Sequence, residues 1–222
     1  MTAADEKRRV GYAAAELVDE GMTVGLGTGS TAAFFVEAVG KRGLTIRCVP
    51  TSEATAAMAR ERGLDVVGLG DVAAIDVTVD GVDEVDRELN AIKGGGGALM
   101  REKIVASLSD RVVYIGDSSK LVQGLGAFPL PVEVSPFAAP AIVRKLKDMG
   151  ADPSIRQRDG TPFVSDEGHW IVDAAFGRID DPSELDVTLN MTPGVVAHGL
   201  FIDLIDRMLI ASGDGVRTLD RE

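Results

Sequence analysis

This sequence has little cysteine, few aromatic residues and a shortage of positive charge. Cys48 is the only cysteine in 222 residues, which excludes an internal disulfide and fits a reducing cytoplasm. The 35 acidic residues outnumber the 23 lysines and arginines, so the net charge is −12 at pH 7. Phosphate backbones repel such a chain, which argues against a nucleic-acid-binding or membrane-surface protein. A small anionic ligand is still compatible with this charge, because it responds to the local charge of its pocket.

Long hydrophobic runs are missing too. Charge or glycine interrupts each apolar stretch well before the roughly 20 residues that a membrane-spanning helix needs. The first nine residues carry acids as well as bases and lack the apolar core of a signal peptide. The whole sequence is 45% apolar and 26% charged. This composition and the chain length are typical of a globular protein with one core and a small second lobe. We therefore expect a cytoplasmic protein without a membrane span.

The first half of the chain alternates strand-like apolar runs with helical patterns. This alternation is typical of βαβ units on a mostly parallel sheet, the α/β class. Gly63 follows one helical pattern and is predicted to end it. The predicted helices are 3–20, 30–39, 53–62 and 98–108, and the predicted strands are 23–27, 46–50, 66–69, 76–79 and 112–115.

The composition changes at the proline-rich segment 128–131. The pattern beyond it predicts a small α+β lobe. The tail, 199–219, contains the turn-like Gly213-Asp214-Gly215 and is predicted to return to the first sheet as a strand hairpin. Within the lobe, the predicted helices are 140–149 and 182–190, and the predicted strands are 155–158 and 170–174.

Four clusters follow strand-like segments, which is where open α/β sheets place their ligands. The first is GLGTGSTA (25–32). Its glycines allow a tight turn, and the helix behind it offers free N–H groups and two hydroxyls, Ser30 and Thr31, to an anion such as phosphate. The alternative is a plain strand-to-helix turn capped by Ser30. The pattern is neither a P-loop nor the usual dinucleotide-binding GxGxxG.

The second cluster is the acidic segment DGVDE (80–84). Asp80 and Asp83 lie three residues apart around a glycine, so both carboxylates can face one cavity. Such a pair binds sugar hydroxyls, ligates a metal or relays protons. The alternative is an acidic surface loop. No histidine lies near in the sequence, which argues against a transition-metal site.

The third cluster is KGGGG (93–97). Within regular structure each glycine costs about 0.5–1 kcal/mol relative to alanine, so four in a row need a reason. A flexible linker is one, but a linker seldom lies between a strand and a strong helix. Close approach of backbone amides to a ligand is the better explanation, with Lys93 supplying a cation.

The fourth cluster is the helical segment that contains Glu102. Residues three and four positions away are neighbours on a helix, and around Glu102 all of them are apolar, so its own helix offers no ion-pair partner. Such a carboxylate either extends into solvent or lies in a semi-buried pocket that raises its pKa. The apolar neighbours are Ala98, Leu99, Val105 and Ala106.

Lys120 follows another predicted strand and can add a second cation to the cavity. His169 and His198 lie outside the four clusters, without a cysteine or an acidic spacing that indicates a metal site or a catalytic triad. We interpret both histidines as structural.

In this order the clusters resemble ribose-5-phosphate isomerase, type A. The resemblance implies a Rossmann-like α/β fold, with a mostly parallel sheet and helices on both faces, formed by 1–127 with 200–222, and a smaller inserted α+β lobe at 128–199. It also implies a cytoplasmic homo-oligomer, with a dimer as first choice and a tetramer as second. No cofactor and no metal are implied. The motifs are GLGTGSTA (25–32), DGVDE (80–84), KGGGGALMREK (93–103) and GDSSK (116–120), extended by FPLPVEV (128–134), PGVVAHGLF (193–201) and DGVRTL (214–219).

The resemblance implies an aldose–ketose isomerase that interconverts D-ribose 5-phosphate and D-ribulose 5-phosphate through an enediolate. Glu102 matches the proton acceptor of the family. Lys93 would stabilise the developing oxyanion, while Asp80 and Asp83 would hold hydroxyls and help to open the sugar ring. The sequence departs from the family in having Val82 and Gly97 where alanine is common. The substrate contacts carried over are Thr28, Gly29, Ser30, Thr31, Asp80, Gly81, Val82, Asp83, Lys93, Gly94, Gly95, Gly96 and Lys120.

Three other classes are compatible with parts of this pattern. A sugar-phosphate sensor domain of a transcription regulator could share the fold, but the residues before the first strand leave no room for a DNA-binding helix-turn-helix. A coenzyme A transferase could use a glutamate as nucleophile. A nicotinamide dehydrogenase fits least, because its glycine fingerprint and ribose-binding acid are not in register.

Overall fold

The computed structural model describes residues 2–213 and 215–221. Its helices are α1 (Ala3–Ala15), α2 (Ala32–Arg42), α3 (Glu53–Glu61), α4 (Leu99–Ser107), α5 (Ala139–Asp148) and α6 (Pro182–Asn190). Its strands are β1 (Thr23–Leu26), β2 (Arg47–Pro50), β3 (Asp65–Val66), β4 (Val77–Gly81), β5 (Glu84–Val85), β6 (Ala91–Ile92), β7 (Val112–Asp117), β8 (Leu130–Val134), β9 (Asp152–Ile155), β10 (Gln157–Arg158), β11 (Thr161–Pro162), β12 (Trp170–Ala175), β13 (Val195–His198), β14 (Leu200–Phe201), β15 (Arg207–Ser212) and β16 (Gly215–Asp220).

The chain forms two compact units. The first comprises the residues up to Val82, Arg101–Leu121 and the residues from Asp203 onwards, and the second comprises Asp83–Met100 and Val122–Ile202. The lobe expected at 128–199 falls within the second unit, which also takes in the segment that holds Lys93 and its glycines. No helix in the described part of the chain is long and apolar enough to cross a membrane.

The first unit is built on a seven-stranded sheet in the order β16-β15-β7-β4-β1-β2-β3. Neighbouring strands are parallel throughout, except for the antiparallel pair β15 and β16. The predicted parallel sheet and the predicted C-terminal hairpin are therefore both confirmed. Of the predicted turn between the hairpin strands, Asp214 lies outside the described residues.

Helices cover both faces of this sheet. Side chains alternate between the two faces along a strand, and the neighbouring residues Cys48 and Val49 of β2 accordingly belong to different apolar clusters. Cys48 packs in the cluster that contains Val10 of α1 and Phe35 of α2. Val49 packs with Val105 of α4. This arrangement confirms the Rossmann-like fold class.

Two predicted helix ends were wrong. The helix expected to run to residue 20 ends at Ala15, because the N–H groups of Leu17 and Val18 bond carbonyls three residues back and form tight turns that carry Val18 into the core. The helix expected to end at residue 39 runs to Arg42 and ends at Gly43, whose φ of 66° suits a left-handed cap. Gly40 lies inside this helix and allows Arg62 to pack closely against it.

The second unit contains a four-stranded antiparallel sheet in the order β13-β8-β12-β9. Its core joins the apolar face of α5, which includes Ile142 and Leu146, to Val132 of β8 and Val172 of β12. The single strand predicted at 155–158 is divided between β9 and β10. A separate sheet has three strands in the order β14-β6-β5. Its central strand, β6, ends directly before Lys93. The pattern did not predict this sheet, because two-residue strands are too short to show a periodicity.

Candidate active site

The turn after β1 belongs to the first unit, and its glycines are explained by close packing at one position and by backbone conformation at the next. A Cβ added to Gly27 would lie 2.1 Å from Asp80 Oδ1, and Gly29 has a φ of +112° that favours glycine. The first helical residue of α2 is Ala32, and Thr31 occupies the capping position without making a side-chain cap bond. The alternative of a turn capped by Ser30 is therefore not what the structure shows. Neither the Ser30 hydroxyl nor the Thr31 hydroxyl caps α2.

A chain of hydrogen-bonded hydroxyl groups fixes the side chain of Thr28. The Thr28 hydroxyl donates to Ser52 Oγ at 2.8 Å, Ser52 donates to Thr55 at 3.0 Å, and Thr55 donates to the Gly27 carbonyl at 3.1 Å. The Thr51 hydroxyl lies 2.8 Å from that of Thr28 as well. The relay therefore begins and ends in the turn itself. The sequence did not reveal it, because serine and threonine at 51–55 read as an ordinary start of α3.

Lys7 adds a cation that the sequence analysis missed. Its Nζ donates to Ser30 Oγ at 3.0 Å, although the two residues lie 23 positions apart. In the sequence Lys7 is one of several charged residues in a helix, so no local signal distinguished it. The turn thus combines helix N–H groups, two hydroxyls and a lysine, an arrangement that suits a phosphate group.

Asp80 lies at the carboxyl end of β4, where open α/β sheets place functional groups. Its side chain is buried, with 1% of the residue exposed. Oδ1 accepts the backbone N–H groups of Thr28 at 3.0 Å and of Gly81 at 2.7 Å. These bonds connect the acidic cluster to the turn after β1 and fix the orientation of the carboxylate.

Glu102 lies in the first turn of α4 and is 3% exposed. It therefore does not extend into solvent. Its charge acts on Tyr114 of β7, which is fully buried and lies opposite Asp80 in the sheet register. Burial is the main cause that raises the pKa of Tyr114 well above its ordinary value, and the negative charges of Asp80 and then Glu102 raise it further. Both carboxylates thus influence one phenol within the first unit.

The third predicted cluster and Asp83 belong to the second unit. Lys93 is 2% exposed, and its Nζ lies 5.5 Å from the centre of the Phe201 ring. Asp83 Oδ2 accepts the N–H of Gly95 at 2.8 Å. Gly94 and Gly97 have φ values of 101° and 84°, which explains why the loop uses glycine at these positions.

The remaining predicted contacts lie near these groups in the sequence. In the first unit, Gly81 is half-buried, Val82 is buried, and Lys120 is half-buried at the end of a 3-10 turn that follows β7. In the second unit, Gly96 is exposed. No group of three His, Cys, Asp or Glu side chains that could hold a metal occurs in the part of the chain that the structure describes.

Both histidines have structural contacts in the second unit. His169 Nδ1 lies 3.2 Å from Glu133 Oε1, which also accepts the hydroxyl of Ser165 at 2.7 Å. His198 is fully buried, and its Nε2 lies 3.1 Å from Asn190 Oδ1.

A parallel α/β sheet, a turn after β1 that suits an anion, and buried carboxylates at the carboxyl end of β4 and in the first turn of α4 define a Rossmann-like enzyme that acts on a small anionic substrate. Comparison with known proteins identifies the class further. The family model of ribose 5-phosphate isomerase A (phosphoriboisomerase A) matches residues 47–215. This chain belongs to the ribose 5-phosphate isomerase A family. A second model, the DeoR C terminal sensor domain, matches residues 2–77 only.

Relatives match along almost the whole chain. The ribose-5-phosphate isomerase A of Rhodopseudomonas palustris (strain TIE-1) is 50% identical over 225 residues, covering 97% of both chains. That of Caulobacter vibrioides (strain NA1000 / CB15N) is 50% identical over 222 residues, covering 97% of this chain and 98% of the relative.

Solved structures agree with this result. A D-ribose-5-phosphate isomerase in complex with phospho-erythronic acid superposes with a TM-score of 0.97 at 39% identity and covers all of both chains. Ribose 5-phosphate isomerase A from Methanocaldococcus jannaschii superposes with a TM-score of 0.94 at 40% identity, covering 99% of this chain and 100% of that one. The resemblance inferred from the sequence motifs is confirmed.

Proposed function

We propose that this chain interconverts ribose 5-phosphate and ribulose 5-phosphate through an enediolate, with Glu102 as the group that moves the proton. Family membership supports the reaction. The observation that carries the proposal is the burial of Glu102 on the first turn of α4. A carboxylate that is buried in this way is suited to act as a general base and acid towards a carbon-bound proton.

The first requirement of the reaction is the transfer of a proton between two neighbouring carbons. Glu102 takes it from C2 of the open-chain aldose and returns it to C1 of the enediolate, while the hydroxyl proton passes from O2 to O1, which gives the ketose. One side chain can do both steps, because a carboxylate accepts a proton and the resulting carboxylic acid donates it again.

The second requirement is stabilisation of the negative oxygen. Lys93 supplies a buried cation, and the glycine loop behind it supplies backbone N–H groups. A single positioned donor of this kind contributes about 3–4 kcal/mol to transition-state stabilisation in other enzymes. Asp80 and Asp83 each have one oxygen occupied by backbone N–H groups. Asp80 and Asp83 would each hold a sugar hydroxyl, and one of the two acids would move the proton that opens the ring.

The third requirement is an anchor for the phosphate. The backbone of residues 29–31 and the hydroxyls of Ser30 and Thr31 would bind it, with Lys7 and Lys120 as cations. Binding at a distance from the reacting carbons orients the substrate without reacting with it. The hydroxyl of Thr28 is committed to Ser52 and its backbone N–H to Asp80, so Thr28 contributes by fixing the shape of the turn around the phosphate.

The reaction can be tested with ribose 5-phosphate in D2O. We expect the purified protein to form the ketose with deuterium at C1, because an enediolate intermediate lets the transferred proton exchange with solvent. NMR of the product measures both its identity and the labelled position. Absence of ketose would reject the proposal, and a ketose formed without any label would argue for a hydride shift in place of proton transfer.

The same assay run after exhaustive EDTA treatment addresses the metal. We expect full activity, because the proposed steps use only side chains and backbone groups. A loss of activity that one divalent ion restores would reassign Asp80 and Asp83 as metal ligands.

We propose further that the protein is a cytoplasmic homodimer. The single free cysteine, Cys48, supports the compartment. An apolar surface on the second unit supports the dimer. Phe137 is 97% exposed and Met191 is 77% exposed, and Val187 lies one turn before Met191 on α6 and is exposed as well. Single exposed apolar residues are common, but Val187 and Met191 are neighbours, since the Met191 N–H donates to the Val187 carbonyl, and adjacent exposed apolar residues indicate an interaction surface.

The dimer can be tested by light scattering coupled to gel filtration. We expect Met191→Glu to shift the protein from dimer towards monomer, because it places a charge in the buried apolar contact. Leu108→Glu is the matched control, since Leu108 is an exposed leucine of the first unit and should leave the mass unchanged. A wild-type monomer would reject the proposal, and a wild-type tetramer would replace the dimer by the second choice.

A further inference from the structure

Arg156 lies between β9 and β10 in the second unit and belongs to none of the sequence motifs discussed above. Its side chain is 15% exposed. The guanidinium forms a two-pronged ion pair with Asp173 of β12, with Nε 2.9 Å from Oδ2 and Nη2 2.5 Å from Oδ1. Paired bonds of this kind fix the plane of the guanidinium as well as its position. Arg156 therefore has a defined orientation.

The third nitrogen of Arg156 binds the glycine loop. Nη1 donates to the carbonyl of Gly94 at 2.9 Å and to that of Gly95 at 3.1 Å. On the other side of the loop, the N–H of Gly95 donates to Asp83 at 2.8 Å. The Gly94 carbonyl and the Gly95 N–H belong to one planar trans peptide and point in opposite directions. This peptide is consequently held at both ends, by Arg156 and by Asp83.

The next peptide follows from the same geometry. Its carbonyl, that of Gly95, points to Arg156. Its N–H, that of Gly96, therefore points away from Arg156, towards the side of the loop on which Asp83 lies. Four consecutive glycines have more backbone freedom than any other four residues. Without the bonds from Arg156 and to Asp83, the loop would lose the fixed direction of the Gly96 N–H.

We propose that Arg156, oriented by Asp173, is a positioning residue that holds the glycine loop so that the Gly96 N–H donates to the oxyanion of the enediolate. This inference rests on the proposed isomerase function and deepens it. Arginine is required because one side chain makes four directed bonds, two to Asp173 and two to the loop. Lysine offers a point charge without the planar fork.

The experiment compares three variants by steady-state kinetics. We expect Arg156→Ala to lower kcat about 10- to 100-fold with KM changed less than about threefold, because a small displacement of a donor affects the transition state more than the bound substrate. Arg156→Lys should recover only part of kcat. Arg158→Ala is the matched control, since Arg158 lies 4.5 Å from the Phe163 ring and makes no side-chain bond to the loop among the described residues. It should retain wild-type kcat.

Chemical rescue separates positioning from a general loss of structure. Millimolar guanidinium should raise kcat of Arg156→Ala several-fold by occupying the place beside Asp173, and it should not raise kcat of Arg158→Ala. Wild-type kcat in Arg156→Ala would overturn the inference, and so would a rise in KM alone. If Arg156→Ala fails to fold, Arg156→Lys decides, and an unchanged kcat in that variant overturns the inference. A wild-type protein that forms no ketose would instead reject the isomerase function itself.

Discussion

Glu102→Gln is expected to lower kcat about 10³-fold while the protein keeps its fold. General acid–base catalysis by a positioned side chain contributes roughly 10²–10⁴-fold, and glutamine has the shape of glutamate without its basic oxygen. Because glutamine fills the same buried volume as Glu102, the variant should still unfold in one cooperative transition. Continuous assay of ketose formation and thermal unfolding followed by circular dichroism measure the two effects.

The matched control for this substitution is Glu61→Gln. Glu61 ends α3 and is exposed, so the same chemical change there should leave kcat and stability unaltered. If Glu102→Gln kept kcat within tenfold of the wild type, another residue would have to be the base.

Gly27→Ala is expected to damage both stability and activity. The added methyl group would lie 2.1 Å from Asp80 Oδ1 and 2.5 Å from Asp80 Cα, so the backbone of β4 or of the turn has to move. Overpacking of this kind costs about 1–3 kcal/mol of folding free energy. Displacement of Asp80 and of the 28–31 turn together should lower kcat/KM about 10²-fold. Urea unfolding and the kinetic assay provide the measurements.

Gly70→Ala makes the same substitution where there is room. A Cβ at Gly70 would meet no heavy atom within 4 Å, and this variant should match the wild type in both measurements. Gly27→Ala with normal kcat/KM would show that the placement of Asp80 beside the turn is not needed for turnover.

The sequence predicted the features that depend on neighbouring residues. Alternation of apolar strands and helical patterns predicted the parallel sheet, and the motifs at 25–32 and 93–103 predicted the family. The apolar neighbours of Glu102 left open whether this side chain was exposed or semi-buried. The structure shows it buried, because α4 packs against the sheet through Val105. The role of Glu102 as the base stays a prediction until the substitutions are made.

Contacts between distant residues could not be predicted in the same way. Arg156 binds carbonyls 61 and 62 positions away, and the hydroxyls that hold Thr28 come from 23 to 27 positions further along the chain. Nothing in the local pattern of either segment encodes its partner, since arginine in a polar segment and serine before a helix are both ordinary. Such pairings arise only once the sheet order brings the strand ends together.

The late position of β15 and β16 has a consequence for biosynthesis. β15 pairs with β7, and β16 with β15, so the sheet that carries Asp80 is completed by residues that are translated after the segment Val122–Ile202. While the ribosome makes the segment Val122–Ile202 of the second unit, β7 presents an unpaired strand edge, which is prone to associate with other chains. The central sheet can therefore close only after the hairpin has emerged from the exit tunnel, and a nascent chain halted earlier would depend on chaperones to shield that edge.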